Sequence, residues 1–123
     1  MPKVLVATLV LVVAVIAVLV IFSSTPRTPG DGFYDTFAAC LSDNDIVMYG
    51  AYWCPHCQNE KKRFGDSFRF VSYVECTEET EKCTAEKIRG YPTWAFPDGR
   101  RFEGEMGLER LSAESGCELP KQQ

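Results

Sequence analysis

From Val4 to Phe22 every position is apolar except Thr8, and no charge interrupts the run. A stretch of that length and composition meets the requirement for a membrane span. At roughly 1.5 Å per residue a helix here reaches about 28 Å, close to the ~30 Å of the hydrocarbon core. Residues 23–32, "SSTPRTPGDG", carry Ser, Thr, Pro and Gly with little that could pack, and read as a tether. The pattern beyond it is that of one small folded unit, residues 33–119.

Within that unit Phe33, Phe37, Cys40 and Leu41 recur at helical spacing until "SDND" breaks the pattern, so a short helix is expected. "IVMYGAYW", 46–53, is apolar, β-branched and aromatic, and predicts a buried strand that runs straight into a helix from near Cys54 to Gly65. "FRFVSYVEC", 68–76, predicts a second strand, with Phe68 and Phe70 on its alternating face. "TEETEKCTAEKIRG", 77–90, is acidic early and basic late and ends in glycine, which complements a helix dipole and predicts a helix. "TWAFPDGRRFEG", 93–104, places two short runs around Pro97-Asp98-Gly99 and predicts a hairpin, because Pro pre-sets φ and Gly accepts φ > 0. Leu108, Leu111 and Leu119 anchor a closing helix, with Gly116 as its stop. Strands alternating with helices in this order predict an α/β fold, a sheet of about four strands flanked by helices.

Composition changes the picture in two ways. The chain has 13 Lys+Arg and 17 Asp+Glu; Lys3 and Arg27 precede the folded unit, which leaves 11 basic residues against 17 acidic ones, net −6 from residue 31 onward. That acidity argues against nucleic acid as a partner. Six cysteines in a chain of 123 residues suit an oxidising compartment. The expected placement is therefore a single-pass membrane protein, amino terminus cytoplasmic and folded unit periplasmic or otherwise extracytoplasmic. Met1-Pro2-Lys3 could also open a cleaved signal peptide, but the apolar run exceeds a usual h-region and no small-x-small cleavage pattern follows it. An uncleaved anchor over residues 1–22 is the reading adopted.

The candidate chemistry lies in Trp53-Cys54-Pro55-His56-Cys57. At a helix N-terminus the Cys54 sulfur faces unpaired backbone N–H groups and the positive end of the dipole, which favour a thiolate. Pro55 suits the first helical position, having no N–H to leave unpaired. Cys57, one turn on, can close a Cys54–Cys57 disulfide, with Cys54 the exposed nucleophile and Cys57 the more buried resolving sulfur. His56, the only histidine, would stabilise the Cys54 thiolate as a neighbouring cation or donor, or would be a loop residue without a role. Zinc is the rival use: Cys76 and Cys83 could complete four sulfurs, although six residues between them is wide for a ligand pair. A purely structural clip is the third.

"Trp53-Cys54-Pro55-His56-Cys57" after an apolar strand and "Gly90-Tyr91-Pro92-Thr93" before another resemble the thioredoxin fold, with its Cys-x-x-Cys and its cis-proline loop. The longer run "MYGAYWCPHCQNEKKRFG", with "YVEC", "GYPTWAFPDG" and "LERLSAESG", is similar more narrowly to the thioredoxin-like domain fused to bacterial and plant homologues of vitamin K epoxide reductase. The similarity spans about residues 33–117. It implies a thiol:disulfide oxidoreductase needing no cofactor and no metal. Pro92 would be the cis-proline against the cysteine pair, and Tyr91 would offer backbone to an extended substrate beside Trp53. The fused quinone-reducing part is absent, so a separate quinone-linked membrane oxidase of the vitamin K epoxide reductase type becomes the implied partner, beside the thiols of substrate proteins. Pro-His between the cysteines matches the strongly oxidising DsbA type, near −120 mV against about −270 mV for thioredoxin. Reducing thioredoxins resemble one another in a buried Asp six residues before the first cysteine, where it helps take the proton of the second; here that position is Met48. The implied direction is that of an oxidant. A reductase or isomerase, and a Cys/His metal-binding module, are the alternatives.

Cys76 and Cys83 are close enough in sequence to pair across a short loop, as a staple or as a redox relay, since a second pair recurs in the resembled family. Cys40 and Cys117, at the far ends of the first and last helices, would either bridge or stay as two buried thiols.

Overall fold

The computed structural model describes residues 2–23 and 32–121; residues 24–31 of the expected tether lie outside them. The apolar run is one helix, α1, Pro2–Ser23, the single helix among the described residues long and apolar enough to cross a membrane. The folded unit follows in the order α2 (Asp35–Asp43), β1 (Val47–Gly50), α3 (Pro55–Phe64), a 3-10 helix (Gly65–Phe70), β2 (Ser72–Glu75), α4 (Thr80–Ala85), β3 (Thr93–Ala95), β4 (Arg101–Glu103) and α5 (Leu108–Ser115).

The four strands form one mixed sheet in the order β2-β1-β3-β4. β1 runs parallel to β2, which places Gly50 beside Glu75 and Met48 beside Tyr73. β3 is antiparallel to β1 and to β4, with Trp94 opposite both Met48 and Phe102. The hairpin turn is the expected one, with Gly99 at φ 91°. This is the α/β thioredoxin-like architecture.

The period of two along β1 sorts side chains to opposite faces. Met48 packs in the main core with Trp94, Phe37 and Leu41 of α2, Phe64 of α3, and Leu108 and Leu111 of α5. Tyr49 joins a second, smaller cluster with Val74, Ala95, Cys76 and Cys83. The helices around the larger core are tied covalently as well: Cys40 and Cys117 form a disulfide with Cα atoms 5.9 Å apart.

The first strand, expected over 46–53, shortens to Val47–Gly50, and two further elements are shorter than the sequence suggested. The second strand does not begin at Phe68; Gly65, at φ 56°, ends α3 and opens a 3-10 turn that holds Phe68 and Phe70. Two aromatics two residues apart mimic strand alternation, yet Phe68 packs on Phe64 and Tyr73 while Phe70 is 42% exposed and needs no inner sheet face. The helix over 77–90 shrinks to Thr80–Ala85. At its start the N–H groups of Glu78 and Glu79 donate to the Glu75 carbonyl, making a turn of the first residues. At its end Lys87 adopts φ 55°, with Ile88 N–H donating to the Cys83 carbonyl and Lys87 N–H to that of Thr84. That is a Schellman stop three residues before the glycine the sequence offered, and it is closed by the apolar pair Ile88 and Cys83. The same motif ends α2, where Asp45 takes φ 54° and Ile46 N–H donates to Leu41.

Candidate active site

Cys54 is the N-cap of α3 and Pro55 its first residue. The Cys57 N–H donates to Cys54 Sγ at 3.4 Å, so an otherwise unpaired donor of the first helical turn faces sulfur. Cys54 and Cys57 are not bonded to each other. Cys57 is fully enclosed, and burial pushes its thiol up to about 12. Cys54 is not the exposed sulfur expected from the sequence: it is only 5% accessible. The loop before β3 lies against it.

That loop contains the Tyr91–Pro92 peptide bond in the cis form. The Cys54 thiol donates to the Tyr91 carbonyl at 3.5 Å, and Pro92 is fully buried. Trp53, 58% exposed, meets the Tyr91 ring edge-on at 6.1 Å between centroids, and Tyr52 beside it is 68% exposed. Of the residues anticipated around the pair, Trp53 and Pro55 adjoin Cys54 in the chain, Tyr91 meets its sulfur through the carbonyl, and Pro92 follows Tyr91 in the same loop.

His56 does not take the part expected of it. Its ring turns outward, and Nδ1 lies 2.7 Å from Glu105 Oε1 rather than against sulfur. Glu105, on the loop after β4, also accepts from Arg63 Nη2 at 2.7 Å and Asn59 Nδ2 at 3.1 Å. Those donors, Arg63 foremost, hold its carboxyl down at about 2. One carboxylate thus gathers three side chains from the outer face of α3, and that contact outcompetes a weak one to sulfur.

Three further groups were not singled out by the sequence. Glu60 on α3 is completely buried and accepts from Trp94 Nε1 (3.1 Å), Met106 N–H (2.6 Å) and Gly107 N–H (3.0 Å). A buried carboxylate so supplied is a brace between the active-site helix, β3 and the loop before α5. Its signal was present in the sequence as an i+3 partner of Cys57, on the helix face that must be inward. Tyr73 and Glu75, on one face of β2, form a second polar pair, with Tyr73 Oη donating to Glu75 Oε2 at 2.7 Å. The Glu75 Oε1 also accepts from Tyr52 N–H and Thr77 Oγ1.

Cys76 and Cys83 are joined to each other, Cα atoms 5.7 Å apart, and so do not complete a four-sulfur set with Cys54 and Cys57.

No family model matches the chain. Among curated proteins it is 36% identical over 88 residues to "Thiol-disulfide oxidoreductase LTO1" of Arabidopsis thaliana, covering 64% of this chain and 23% of that one. It is 32% identical over 88 residues to "Thioredoxin domain-containing protein 5 homolog" of Drosophila melanogaster, covering 63% and 21%. A protein disulfide-isomerase of Humicola insolens is 32% identical over 68 residues, covering 48% and 14%. The chain thus spans less than a quarter of the length of each of these relatives. The solved structure of oxidised mitochondrial thioredoxin 3 from Saccharomyces cerevisiae is similar at 20% identity and TM-score 0.35, over 66% of this chain and 84% of that one. The strand order and the site geometry are those of a thioredoxin fold, and over that folded part the chain is similar in sequence to thiol-disulfide oxidoreductases.

Proposed function

We propose that the chain is a membrane-tethered, extracytoplasmic oxidant that passes a Cys54–Cys57 disulfide to the thiols of substrate proteins. The observation that carries this reading is the setting of Cys54: an N-cap sulfur facing a helix N–H, with the Tyr91 carbonyl of the cis-proline loop against it. A client thiolate would attack Cys54, Cys57 would leave, and a second client thiol would release the mixed disulfide. Met48, fully buried where a reductase would hold a carboxylate, supports the oxidising direction. The helix α1 would hold the unit at the membrane as an uncleaved anchor, amino terminus cytoplasmic, with recharging by a quinone-linked membrane oxidase of the vitamin K epoxide reductase type.

Cys57→Ala leaves Cys54 able to form mixed disulfides that nothing within the chain can resolve. Expressed in cells, this variant is expected to accumulate adducts through Cys54 with both clients and the recharging oxidase, separable on non-reducing gels. Absence of adducts where the wild type is oxidised would sink the proposal. A second reading, isomerase, is favoured by the protein disulfide-isomerases among the relatives. Equilibration with glutathione separates the two: about −120 mV supports the oxidant, about −180 mV the isomerase, and about −270 mV a reductase.

A further inference from the structure

Every thiol exchange at this site, in either direction, must move a proton at Cys57, whose sulfur has no contact with solvent. Burial disfavours the charged form, so the Cys57 thiol holds its proton at neutral pH. The residue that assists this proton in reducing relatives is replaced by Met48, an apolar side chain. The neighbouring strand offers a different route.

Gly50 lies beside the Cys57 sulfur, with an α-hydrogen where any other residue would carry its side chain. A methyl group there would come within 2.9 Å of Cys57 Sγ, 3.1 Å of Tyr73 Cε2 and 3.2 Å of Tyr73 Oη. Sulfur and hydroxyl therefore flank the same position, which any side chain at residue 50 would fill. From Tyr73 the path continues to Glu75 Oε2 at 2.7 Å, on the same face of β2 and half exposed to water. Lys61 of α3, with Nζ 3.8 Å from the centre of the Tyr73 ring, and Cys54 are the other ionisable groups that face the path. Burial and the adjacent Glu75 raise the Tyr73 hydroxyl above its usual value, so it stays protonated and able to donate. Burial would raise the Glu75 carboxyl, but hydrogen bonds from Tyr73, Thr77 and the Tyr52 N–H outweigh it and hold the group ionised, ready to accept.

We propose that Tyr73 and Glu75 are the proton path of Cys57, with no side chain at Gly50 to come between Tyr73 and the sulfur. This rests on the reading of Cys54 and Cys57 as the exchanging pair. As Cys57 attacks the Cys54–client disulfide, its S–H proton passes to Tyr73 Oη while the Tyr73 proton passes to Glu75 and on to water. The Cys57 electron pair becomes the new Cys54–Cys57 bond, and the pair of the broken bond leaves on the client sulfur as a thiolate. Oxidation of a client runs the same path inward, protonating Cys57 as it leaves. No further oxidant or reductant enters either step.

The test is stopped-flow reaction of the reduced full chain, in detergent, with a chromogenic aryl disulfide. Cys54 releases one coloured thiolate in a first phase, and Cys57 releases a second as it closes the disulfide. Tyr73→Phe, which keeps the ring over Lys61, and Glu75→Gln are each expected to slow the second phase about tenfold or more at neutral pH, leaving the first unchanged. In both variants the second phase should then rise about tenfold per pH unit, as hydroxide takes over, until it meets the wild type. Wild-type rates and pH profile in both variants would overturn the path while leaving the exchanging pair intact. A wild type with no first phase would overturn the reading of Cys54, and the path with it.

Discussion

The two faces of the sheet each hold a cysteine pair, and the pairs differ in everything except burial. On the thick face Cys54 and Cys57 are packed into a core that includes Trp94, Phe64, Phe37 and Leu111, and they are free thiols. On the thin face Cys76 and Cys83 belong to a small cluster with Tyr49, Val74 and Ala95, and they are bonded to each other. The thin face has only the short α4 over it, too little apolar area to hold a six-residue helix in place by packing alone. A covalent tie between the end of β2 and α4 substitutes for the missing core. The thick face needs no such tie at the site itself, so its sulfurs are available for chemistry. Chemistry follows from what surrounds a sulfur, namely a helix N-terminus and a carbonyl for Cys54, rather than from burial or spacing.

The strongest way to break this comparison is to remove each pair in turn. Cys54→Ser should abolish disulfide exchange with little change in the denaturant midpoint of the folded unit. The double variant Cys76→Ala/Cys83→Ala should do the reverse. The chain-entropy model gives about 2.5 kcal/mol for a loop of this length, lost from stability, while the exchange rate of the molecules still folded stays near wild type. Exchange lost in a folded double variant would mean that the second pair is a relay, and the division of labour between faces would fail.

A second contrast is between sulfurs that titrate and sulfurs that cannot. The Cys57 thiol is raised by burial from 9.0 to about 12 in the folded state. Its contribution to stability is complete below pH 9, where folded and unfolded chains both hold the proton. Between about pH 9 and 12 the unfolded chain has lost its proton and the folded one has not, so stability falls as pH rises through that window. The loss is about 1.4 kcal/mol for each pH unit by which burial separates the folded from the unfolded thiol. The measurement compares urea unfolding of Cys54→Ser with Cys54→Ser/Cys57→Ser from pH 8 to 12, where the tyrosines contribute equally to both. Parallel curves would mean that water reaches Cys57 in the folded protein.

Much of this was legible in the sequence where one signal dominated. The apolar run, the Cys-Pro-His-Cys helix start, the Pro97-Asp98-Gly99 turn and the Gly116 stop each rest on local chemistry that tertiary packing did not override. The misjudged stretches are those where local patterns competed. Phe68 and Phe70 satisfied a strand template while Gly65 dictated a 3-10 turn, and Lys87 stopped α4 because Ile88 could bury against Cys83. At the site, the pairings Glu60 with Trp94 and Glu105 with His56 are set by register and loop path, and no local pattern announces them. His56 was misjudged for that reason, since its nearest neighbour in sequence is sulfur and its nearest partner in space is a carboxylate 49 residues away.

The smallest expected effect concerns that carboxylate. If the His56–Glu105 contact sets the electrostatics of the thick-face pair, Glu105→Gln removes a negative charge beside His56, near the N-terminus of α3, while Arg63 keeps its contact to Glu60. The added positive field favours whichever state of Cys54 is a thiolate, so the reduced form gains and the pair becomes more oxidising. Because His56 and Arg63 are well exposed, salt and solvent weaken the field, and the shift should stay below about 30 mV, a tenfold change in the equilibrium constant. Glutathione equilibration at low and at high ionic strength measures it: a rise at low salt that disappears at high salt is expected. A potential equal to wild type at both would leave His56 as a surface strap for α3, with the tuning of Cys54 due to the helix end and the Tyr91 carbonyl alone.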